Sequence, residues 1–338
     1  MPFDKLHRPL RDLRISVIDR CNFRCSYCMP SEKYSHKYKF LDKQEWLTFD
    51  EIVRLVRIFV RLGVVKVRLT GGEPLLRPEL PQLVSRLSQM EGIEDLALTT
   101  NGSLLAQNVF DLKTNGLKRL TVSLDSLDEE VSRKMNGERA SVEEILNGIK
   151  EAERAGFSRI KINVVVERGV NDQTVVDLGR YFKGSGHILR FIELMDVGTH
   201  NDWDDAKVIS SAEIIKMIEK DFPLKPVAHN YQGEVAERYA FANGEGEVGM
   251  ISSISKPFCG DCSRARLTAD GKLYTCLFAT TGIDLKTPMR IEDCSDRDLF
   301  EMIKNSWQMR ADRYSELRAQ SLEKNKELKK VEMFQVGG

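Results

Sequence analysis

Short apolar runs alternate with amphipathic stretches over the first 195 residues. Six of these runs have the length and apolar content of buried strands; they cover 13–18, 64–70, 96–100, 119–124, 160–166 and 188–194. Between them, apolar residues recur three and four positions apart, which predicts helices. Two of these helices begin with a capping box, at Thr48 and at Ser141, because a glutamate follows each hydroxyl residue by three positions.

Alternation of strands and helices is typical of parallel βαβ units. The predicted strands also carry polar residues, namely Arg68, Thr99, Ser123, Lys161, Asn163 and Arg190. A doubly wound sheet buries both faces and accommodates such residues poorly, whereas a barrel has an inward face that can line a cavity. We therefore predict an α/β fold with a partial (β/α)6 TIM-like barrel, and keep an open doubly wound sheet as the alternative.

The pattern changes after residue 195. A predicted helix at 211–222 is followed by two segments of hairpin character, 236–254 and 265–276, the second with Asp270-Gly271 as its turn. An amphipathic helix at 297–310 and a mixed-charge, solvent-facing helix at 324–330 come last. We predict two domains, a barrel core at 1–230 and a C-terminal α+β extension at 231–338.

Charge and composition restrict the function. The 338 residues include 51 Lys and Arg against 51 Asp and Glu, a formal net charge of zero. This balance argues against a general binder of nucleic acid or anionic membrane. No apolar run approaches the length of a membrane-spanning helix, and residues 1–10 lack the apolar centre of a secretory signal. We expect a cytoplasmic protein with reduced cysteines.

The cysteines form two groups of three and a single one: Cys21, Cys25 and Cys28; Cys259, Cys262 and Cys276; and Cys294. A structural zinc ion takes four ligands, and a four-iron cluster normally takes four thiolates. Three thiolates on such a cluster leave one iron open to bind a substrate or cofactor. Ordinary buried thiols and zinc remain alternatives, and Cys294 is a candidate fourth ligand of a zinc ribbon in the second group.

A glycine-rich turn, Gly71-Gly72-Glu73-Pro74, directly follows the second predicted strand. The two glycines allow the backbone to approach a ligand closely, and the proline restricts the exit of the turn. Backbone amide and carbonyl groups at this end of a strand are suited to an amino-acid moiety. An ordinary βα turn is the alternative interpretation.

These motifs together resemble the radical S-adenosylmethionine (SAM) enzymes. The loop 21–28, CNFRCSYC, is similar to the cluster loop of that family, including Tyr27 before the third cysteine. The resemblance, over residues 11–196, implies a partial barrel and a cluster whose open iron chelates the amino and carboxylate groups of SAM. It also implies that the Gly-Gly-Glu-Pro turn contacts the amino group of SAM.

Further motifs are similar to the branch of this family that cyclises GTP at the start of molybdenum cofactor biosynthesis. They are Arg14, 99–102 (TTNG), 123–125 (SLD), 190–193 (RFIE), 264–266 (RAR) and the terminal Gly337-Gly338. By this resemblance, a 5′-deoxyadenosyl radical made from SAM takes the C3′ hydrogen of GTP, and the sugar radical then adds to C8 of the guanine. The implied product is (8S)-3′,8-cyclo-7,8-dihydroguanosine 5′-triphosphate.

The same resemblance implies a ligand set. It assigns one [4Fe-4S] cluster to each group of three cysteines, with an open iron of the second cluster for the purine. The SAM positions are Tyr27, Gly72, Ser123 and Met195, and the GTP positions are Arg14, Arg68, Thr99, Lys161, Arg264, Ala265 and Arg266. The residue types suit this assignment, because a triphosphate carries about four negative charges and needs several cationic partners when it loses water.

The implied partners are GTP, an electron donor and a downstream cyclic pyranopterin monophosphate synthase, with no nucleic acid and no membrane. A homodimer is left open, and the resemblance also places the C-terminal Gly-Gly in the active site. Two other classes remain. One is a radical SAM enzyme that modifies a peptide with the help of an auxiliary cluster. The other is a zinc-containing binding protein.

Overall fold

A single sheet dominates the computed structural model, which describes residues 1–231, 233–291, 294–318 and 330–337. Strands β1–β6 are Asp12–Ser16, Lys66–Thr70, Asp95–Thr100, Arg119–Ser123, Lys161–Val166 and Ile188–Glu193. Strands β7–β12 are Leu224–Val227, Glu237–Phe241, Glu247–Ile251, Arg264–Leu267, Lys272–Tyr274 and Ile283–Asp284. The six strands predicted in the first 195 residues are therefore confirmed, to within two residues at either end.

The order of the strands distinguishes the two predicted architectures. Strands β1 to β6 lie side by side in chain order, and each is parallel to the one before it. A doubly wound sheet reverses its strand order at a switch point, and no such reversal occurs among β1–β6. The partial barrel is confirmed, and the doubly wound alternative is not the fold.

Strands from the C-terminal part continue this sheet at both edges. At one edge β10 runs parallel to β1, and β11 and β12 follow antiparallel. At the other edge β9 runs parallel to β6, and β8 and β7 follow antiparallel. Both predicted hairpins are confirmed, as β8–β9 and β10–β11. Gly271 in the second turn has a φ of 80°, a conformation that favours glycine.

Helices α1–α9 are Phe49–Leu62, Leu80–Ser88, Leu105–Thr114, Glu129–Asn136, Val142–Arg154, Val175–Phe182, Ser211–Glu219, Lys286–Arg290 and Asp296–Met309. The capping boxes at Thr48 and Ser141 are both formed, at the starts of α1 and α5. The sequence analysis did not predict α4, which is short and mostly polar, although Asp128 caps its start and Gly137 its end. A final helical turn, Met333–Val336, lies near the C-terminus.

The two faces of the sheet differ in chemistry, as β1 illustrates. Leu13 and Ile15 are buried in the main hydrophobic core with the apolar faces of the helices, whereas Arg14 between them lines a cavity. Side chains alternate between the faces of a strand, so the same alternation on the neighbouring strands brings further polar residues to that cavity. The polar residues noted on the predicted strands therefore lie on the inner face of the sheet, which is the face that lines cavities.

Three sequence predictions concern the organisation of the whole chain. Within the described ranges, none of the helices has the length and apolar character needed to cross a membrane. The domain boundary near residue 230 stays a prediction, since one sheet contains strands from both sides of it. Most of the helix predicted at 324–330 lies outside the described residues, which resume at residue 330.

Candidate active site

The first cysteine group lies in the loop that follows β1. Cys21, Cys25 and Cys28 line one cavity together with the Gly-Gly-Glu turn after β2. A Cβ on Gly71 would lie 2.4 Å from the Ile18 carbonyl oxygen, and one on Gly72 would lie 2.2 Å from the Arg20 carbonyl oxygen. Only glycine fits at either position, so the two glycines let the turn lie directly against the cysteine loop.

The chemistry of this cavity fits an iron–sulfur cluster. Burial, with Glu73 nearby, raises the pKa of Cys21 to about 12, and burial also raises the pKa values of Cys25 and Cys28. A bound cationic centre reverses this preference and holds the thiols as thiolates. Among the described residues, no three Cys, His, Asp or Glu side chains are gathered around the position of a single ion. Three partly buried thiols that line one cavity fit the three-cysteine ligand set of an iron–sulfur cluster.

Two carboxylates, the buried Glu73 and the partly buried Asp125, support this cavity. Both belong to motifs noted in the sequence, but the sequence analysis gave neither an individual role. Glu73 accepts hydrogen bonds from the Thr100 hydroxyl and the Asn101 amide, both at 2.7 Å. The Tyr27 hydroxyl donates to Asp125 at 2.8 Å. Burial raises the pKa of Glu73 to about 7 and that of Asp125 to about 6. Both carboxylates therefore connect the cysteine loop and its turn to the strand ends of the barrel.

The predicted SAM positions fall in two places. Tyr27, Gly72 and Ser123 line the cavity of the first cysteine group. Met195 instead lines a second, larger cavity on the inner face of the sheet. Thr99 belongs to the walls of both cavities. The two cavities therefore adjoin at this residue.

The larger cavity has a row of cationic side chains. Strand register places Arg14 beside Arg68 on one neighbouring strand and beside Arg266 on the other. Burial, followed by the neighbouring guanidinium groups, lowers the pKa of Arg14, and burial lowers that of Arg68 and of Arg266 to about 10. Such pKa shifts arise where like charges are buried together. An anionic ligand would reduce the repulsion between these guanidinium groups.

Further predicted GTP positions complete this row. Burial, reinforced by Arg190, lowers the pKa of Lys161 to about 7. Arg264 also lines the cavity. Ala265, by contrast, has its side chain buried in the hydrophobic core, so only its backbone is available for a ligand. Of the seven predicted GTP positions, six present their side chains to the cavity wall.

The second cysteine group lies at one end of this larger cavity. Cys259 and Cys262 precede β10 and Cys276 follows β11, so the hairpin brings the three together in the cavity wall. Burial alone would raise the pKa of Cys262, but Arg264 and Arg310 lower it to about 6. Burial raises the pKa of Cys276 to about 12, with Asp312 contributing. Thiols in a strongly cationic wall fit an iron–sulfur cluster here as well.

Cys294 lies apart from this group. Its carbonyl oxygen accepts a hydrogen bond from Arg54 at 2.8 Å, just before α9 begins. It is not among the described residues that line the cavity of the second group. The structure thus gives no support to Cys294 as the fourth ligand of a zinc ribbon.

The C-terminal tail reaches both cavities. The Gly337 carbonyl oxygen accepts hydrogen bonds from Arg14 at 2.9 Å and from Arg266 at 3.2 Å. Phe334 packs with Met29 and Tyr34 beside the first cysteine loop. Gly337 therefore lies in the site as the resemblance implied, while Gly338 lies outside the described residues.

Four more cationic residues of the larger cavity were not predicted from sequence: Arg8, Lys66, Arg119 and Arg310. Arg119 forms an ion pair with Asp95 of the neighbouring strand. Arg8 and Arg310 lie at the end with the second cysteine group, where Arg8 donates to the Cys259 carbonyl oxygen at 2.6 Å. Alternation along β2 and β4 could have indicated Lys66 and Arg119, but no local signal marks the other two.

Comparison with known families supports both halves of this site. Residues 15–182 match the model of the radical SAM superfamily, and residues 187–316 match that of the molybdenum cofactor synthesis C family. Among solved structures, Streptococcus suis SuiB bound to S-adenosylmethionine superposes with a TM-score of 0.61 at 14% identity, covering 92% of this chain and 68% of that one. A second, anSMEcpe with bound AdoMet, gives a TM-score of 0.56 at 17% identity, covering 88% and 83%. At these identities the likeness concerns the fold.

Similar sequences extend over nearly the whole chain. A GTP 3′,8-cyclase of Xanthomonas axonopodis pv. citri is 53% identical over 335 residues, which is 99% of this chain and 98% of the relative. A GTP 3′,8-cyclase of Staphylococcus saprophyticus is 48% identical over 336 residues, with 99% and 98% covered. Because the identity is high along the full length and both halves match, this chain belongs to the GTP 3′,8-cyclase family.

Proposed function

We propose that this protein converts GTP to (8S)-3′,8-cyclo-7,8-dihydroguanosine 5′-triphosphate, with SAM as cosubstrate, in molybdenum cofactor biosynthesis. One observation carries the proposal: the cavity of the first cysteine group and the cation-lined cavity of the second adjoin at Thr99. SAM in the first and GTP in the second would thus place two reacting sugars next to each other. The names of the relatives favour this reaction over the modification of a peptide.

In this proposal Cys21, Cys25 and Cys28 hold a [4Fe-4S] cluster. When bound, the cluster would supply the electron that cleaves SAM to methionine and a 5′-deoxyadenosyl radical. The chain itself orients SAM: Gly72 offers its backbone, and Tyr27 is held in place by its hydrogen bond to Asp125. The cofactor carries the difficult step, and the protein supplies position and the exclusion of water.

The GTP triphosphate would be bound by the cationic row. Arg14, Arg68, Lys161 and Arg266 are close enough to lower one another's pKa values or those of their neighbours, so a polyanion would relieve repulsion as it binds. A second [4Fe-4S] cluster on Cys259, Cys262 and Cys276 would leave one iron for the purine, beside Arg264. An electron donor and a downstream cyclic pyranopterin monophosphate synthase complete the proposal, which leaves open whether the chain forms a homodimer.

The proposal is tested by anaerobic turnover of the iron-reconstituted protein with SAM, dithionite and GTP. We expect 5′-deoxyadenosine and a cyclised nucleotide in equal amounts, and neither above background when ATP replaces GTP. The matched variants are Cys25→Ser, which should abolish both products, and Cys294→Ser, which should leave both unchanged. Formation of 5′-deoxyadenosine that is indifferent to GTP, with no cyclised nucleotide, would reject the assignment.

A further inference from the structure

Arg310 donates two hydrogen bonds to one cysteine of the second group, Cys262. It directly follows α9, and its side chain is 1% exposed. Its Nη2 donates to the Cys262 sulfur at 3.2 Å, and its Nη1 donates to the Cys262 carbonyl oxygen at 2.6 Å. A planar guanidinium that bonds both the thiol and the backbone of one residue restricts the direction in which that sulfur points.

The guanidinium is itself held on several sides. Asp4 accepts from Arg310 at 3.3 Å and from Arg8 at 2.6 Å. Arg310 lies over the ring of Trp307, 4.5 Å from its centroid, and the Trp307 indole donates to the Arg8 carbonyl oxygen at 3.1 Å. These contacts join the N-terminal segment and the end of α9 into one support next to the cysteines.

This support leaves an excess of positive charge next to the sulfurs. One carboxylate, Asp4, serves two arginines, and Arg264 adds a third guanidinium 3.7 Å from the Cys262 sulfur. Asp312, whose side chain is 34% exposed, lies 3.4 Å from Arg310. Nη2 of Arg8 is buried and has no hydrogen-bond partner in the part of the chain that the structure describes. Nε of Arg310 forms no hydrogen bond there either, and its ion-pair partner is the Asp312 carboxylate. The unpartnered donor of Arg8 is of the kind expected where an electron-rich group binds.

We propose that Arg310 is a positioning residue of the second cysteine group, which orients Cys262 and raises the reduction potential of the iron–sulfur cluster held there. Reduction adds one electron to the cluster, and a nearby positive charge that hydrogen-bonds a cluster sulfur stabilises that more negative state. The inference rests on the proposed function, because it requires a cluster on Cys259, Cys262 and Cys276. Arg310 is outside the GTP positions that the family resemblance implies.

The test is a redox titration of the full-length chain carrying Cys21→Ser, Cys25→Ser and Cys28→Ser, so that only the second cluster assembles. Electron paramagnetic resonance follows the reduced cluster as dithionite and mediators set the potential. Arg310→Met should shift the midpoint to more negative values, and Arg310→Lys, which keeps the charge, should shift it less. Asp312→Asn removes a negative charge beside Arg310 and should shift the midpoint to more positive values. Shifts of opposite sign are not expected from a merely loosened fold.

Two controls accompany these variants. Arg54→Met removes an arginine beside the remote Cys294 and should leave the midpoint unchanged. In the reciprocal chain, with Cys259→Ser, Cys262→Ser and Cys276→Ser, Arg310→Met should not move the midpoint of the first cluster. A loaded Arg310→Met protein with an unaltered midpoint would overturn the inference, and so would weakened GTP binding at an unaltered midpoint.

The outcomes also separate this inference from the proposed function. If Arg310→Met fails to retain iron, the midpoint potentials of Arg310→Lys and Asp312→Asn test the inference instead. A loaded Asp312→Asn protein whose midpoint does not become more positive contradicts the role of local charge. If the parent chain itself binds no iron on the second group, the second cluster of the proposed function fails. That result appears in the parent's iron content, before any Arg310 variant is compared.

Discussion

Lys161 and Arg266 show how burial changes an ordinary basic side chain. Both lie on strands of the sheet with their side chains toward the larger cavity. Burial is the first cause of a pKa near 7 for Lys161 and near 10 for Arg266, and neighbouring cations add to it. Each residue is thus held in a surrounding that disfavours its own charge, and an anionic ligand would reverse that preference.

GTP binding is predicted to take up a proton at pH 8 through Lys161. The pKa of Lys161 is lowered from 10.5 to about 7, so the free protein holds it mostly neutral at pH 8. A bound triphosphate favours the ammonium form and raises this pKa. GTP affinity should therefore fall as pH rises above 7, by at most about tenfold per pH unit.

Calorimetry at pH 8 in two buffers of different ionisation enthalpy measures this proton uptake. Lys161→Gln should abolish it and remove most of the pH dependence. Lys118→Gln, which changes an exposed lysine bonded to the Glu94 carbonyl oxygen, serves as the matched control and should retain both. Equal heats in the two buffers for the unmodified protein would contradict the role given to Lys161.

Arg266→Ala is predicted to weaken GTP binding while SAM cleavage remains measurable. The loss of a charge-assisted hydrogen bond costs about 1.5–3 kcal/mol, which corresponds to roughly 10- to 150-fold in affinity. GTP binding is measured by equilibrium dialysis, and SAM cleavage by the 5′-deoxyadenosine formed with dithionite at a GTP concentration that saturates the variant. The exposed Arg57→Ala on α1 is the control, and an unchanged GTP affinity in Arg266→Ala would argue against the cationic row.

At the scale of elements, Glu193 joins three segments at the end of β6. Its carboxylate is fully buried and accepts hydrogen bonds from the amide of Ser211 at 2.7 Å and from those of Ile254 and Ser255 at 2.8 Å. Ser211 begins α7, and the other two follow β9. A single carboxylate thus attaches the first C-terminal helix and hairpin to the last strand of the barrel.

Glu193→Ala is predicted to lower the free energy of unfolding by about 3 kcal/mol or more, because it leaves the buried amide of Ser211 and the partly buried amides of Ile254 and Ser255 without an acceptor. Chemical denaturation followed by circular dichroism measures the change. Glu219→Ala, an exposed substitution on α7, should change stability by less than about 0.5 kcal/mol. Similar midpoints for the two variants would show that Glu193 does not hold these elements together.

Local sequence signals were sufficient for most elements of the barrel. Capping boxes at Thr48 and Ser141 and the apolar runs of β1–β6 depend on neighbours within a few positions, so they could be read directly. The pairing of β9 with β6 and of β10 with β1 could not, because no local pattern states which edge a strand will join. Helix α4 was not predicted although it has local signals, because its N-cap Asp128 and its C-terminal Gly137 enclose a segment that is mostly charged and polar.

At the scale of the whole molecule, the C-terminal part completes the site that the barrel begins. Strand β10 places the second cysteine group beside Arg14 on β1, and the tail returns so that the Gly337 carbonyl oxygen meets both Arg14 and Arg266. Residues more than 300 positions apart therefore share one cavity wall. Residues from both matched family regions, 15–182 and 187–316, therefore line the same larger cavity.

Iron analysis is the whole-molecule test of this arrangement. We expect about eight iron atoms per chain after anaerobic reconstitution, four for each cluster. Cys262→Ser should lower this to about four, whereas Cys294→Ser should leave it unchanged. Iron and acid-labile sulfide are measured together with zinc. A colourless protein that contains zinc and no iron would contradict both cluster assignments.

The sequence alone indicated the chemistry of this protein, because the spacing of three cysteines in one loop and a Gly-Gly turn limits what they can bind, and their resemblance to the radical SAM enzymes selects among the remaining possibilities. The first cysteine loop, the turn after β2 and the alternation that exposes Arg14, Arg68 and Lys161 are all local features. Only the tertiary structure decided that the two cavities meet at Thr99, that Cys294 lies apart, and that Arg310 bonds Cys262. These relations join residues far apart in the chain, and long-range strand pairing and packing create them, so no local pattern contains them.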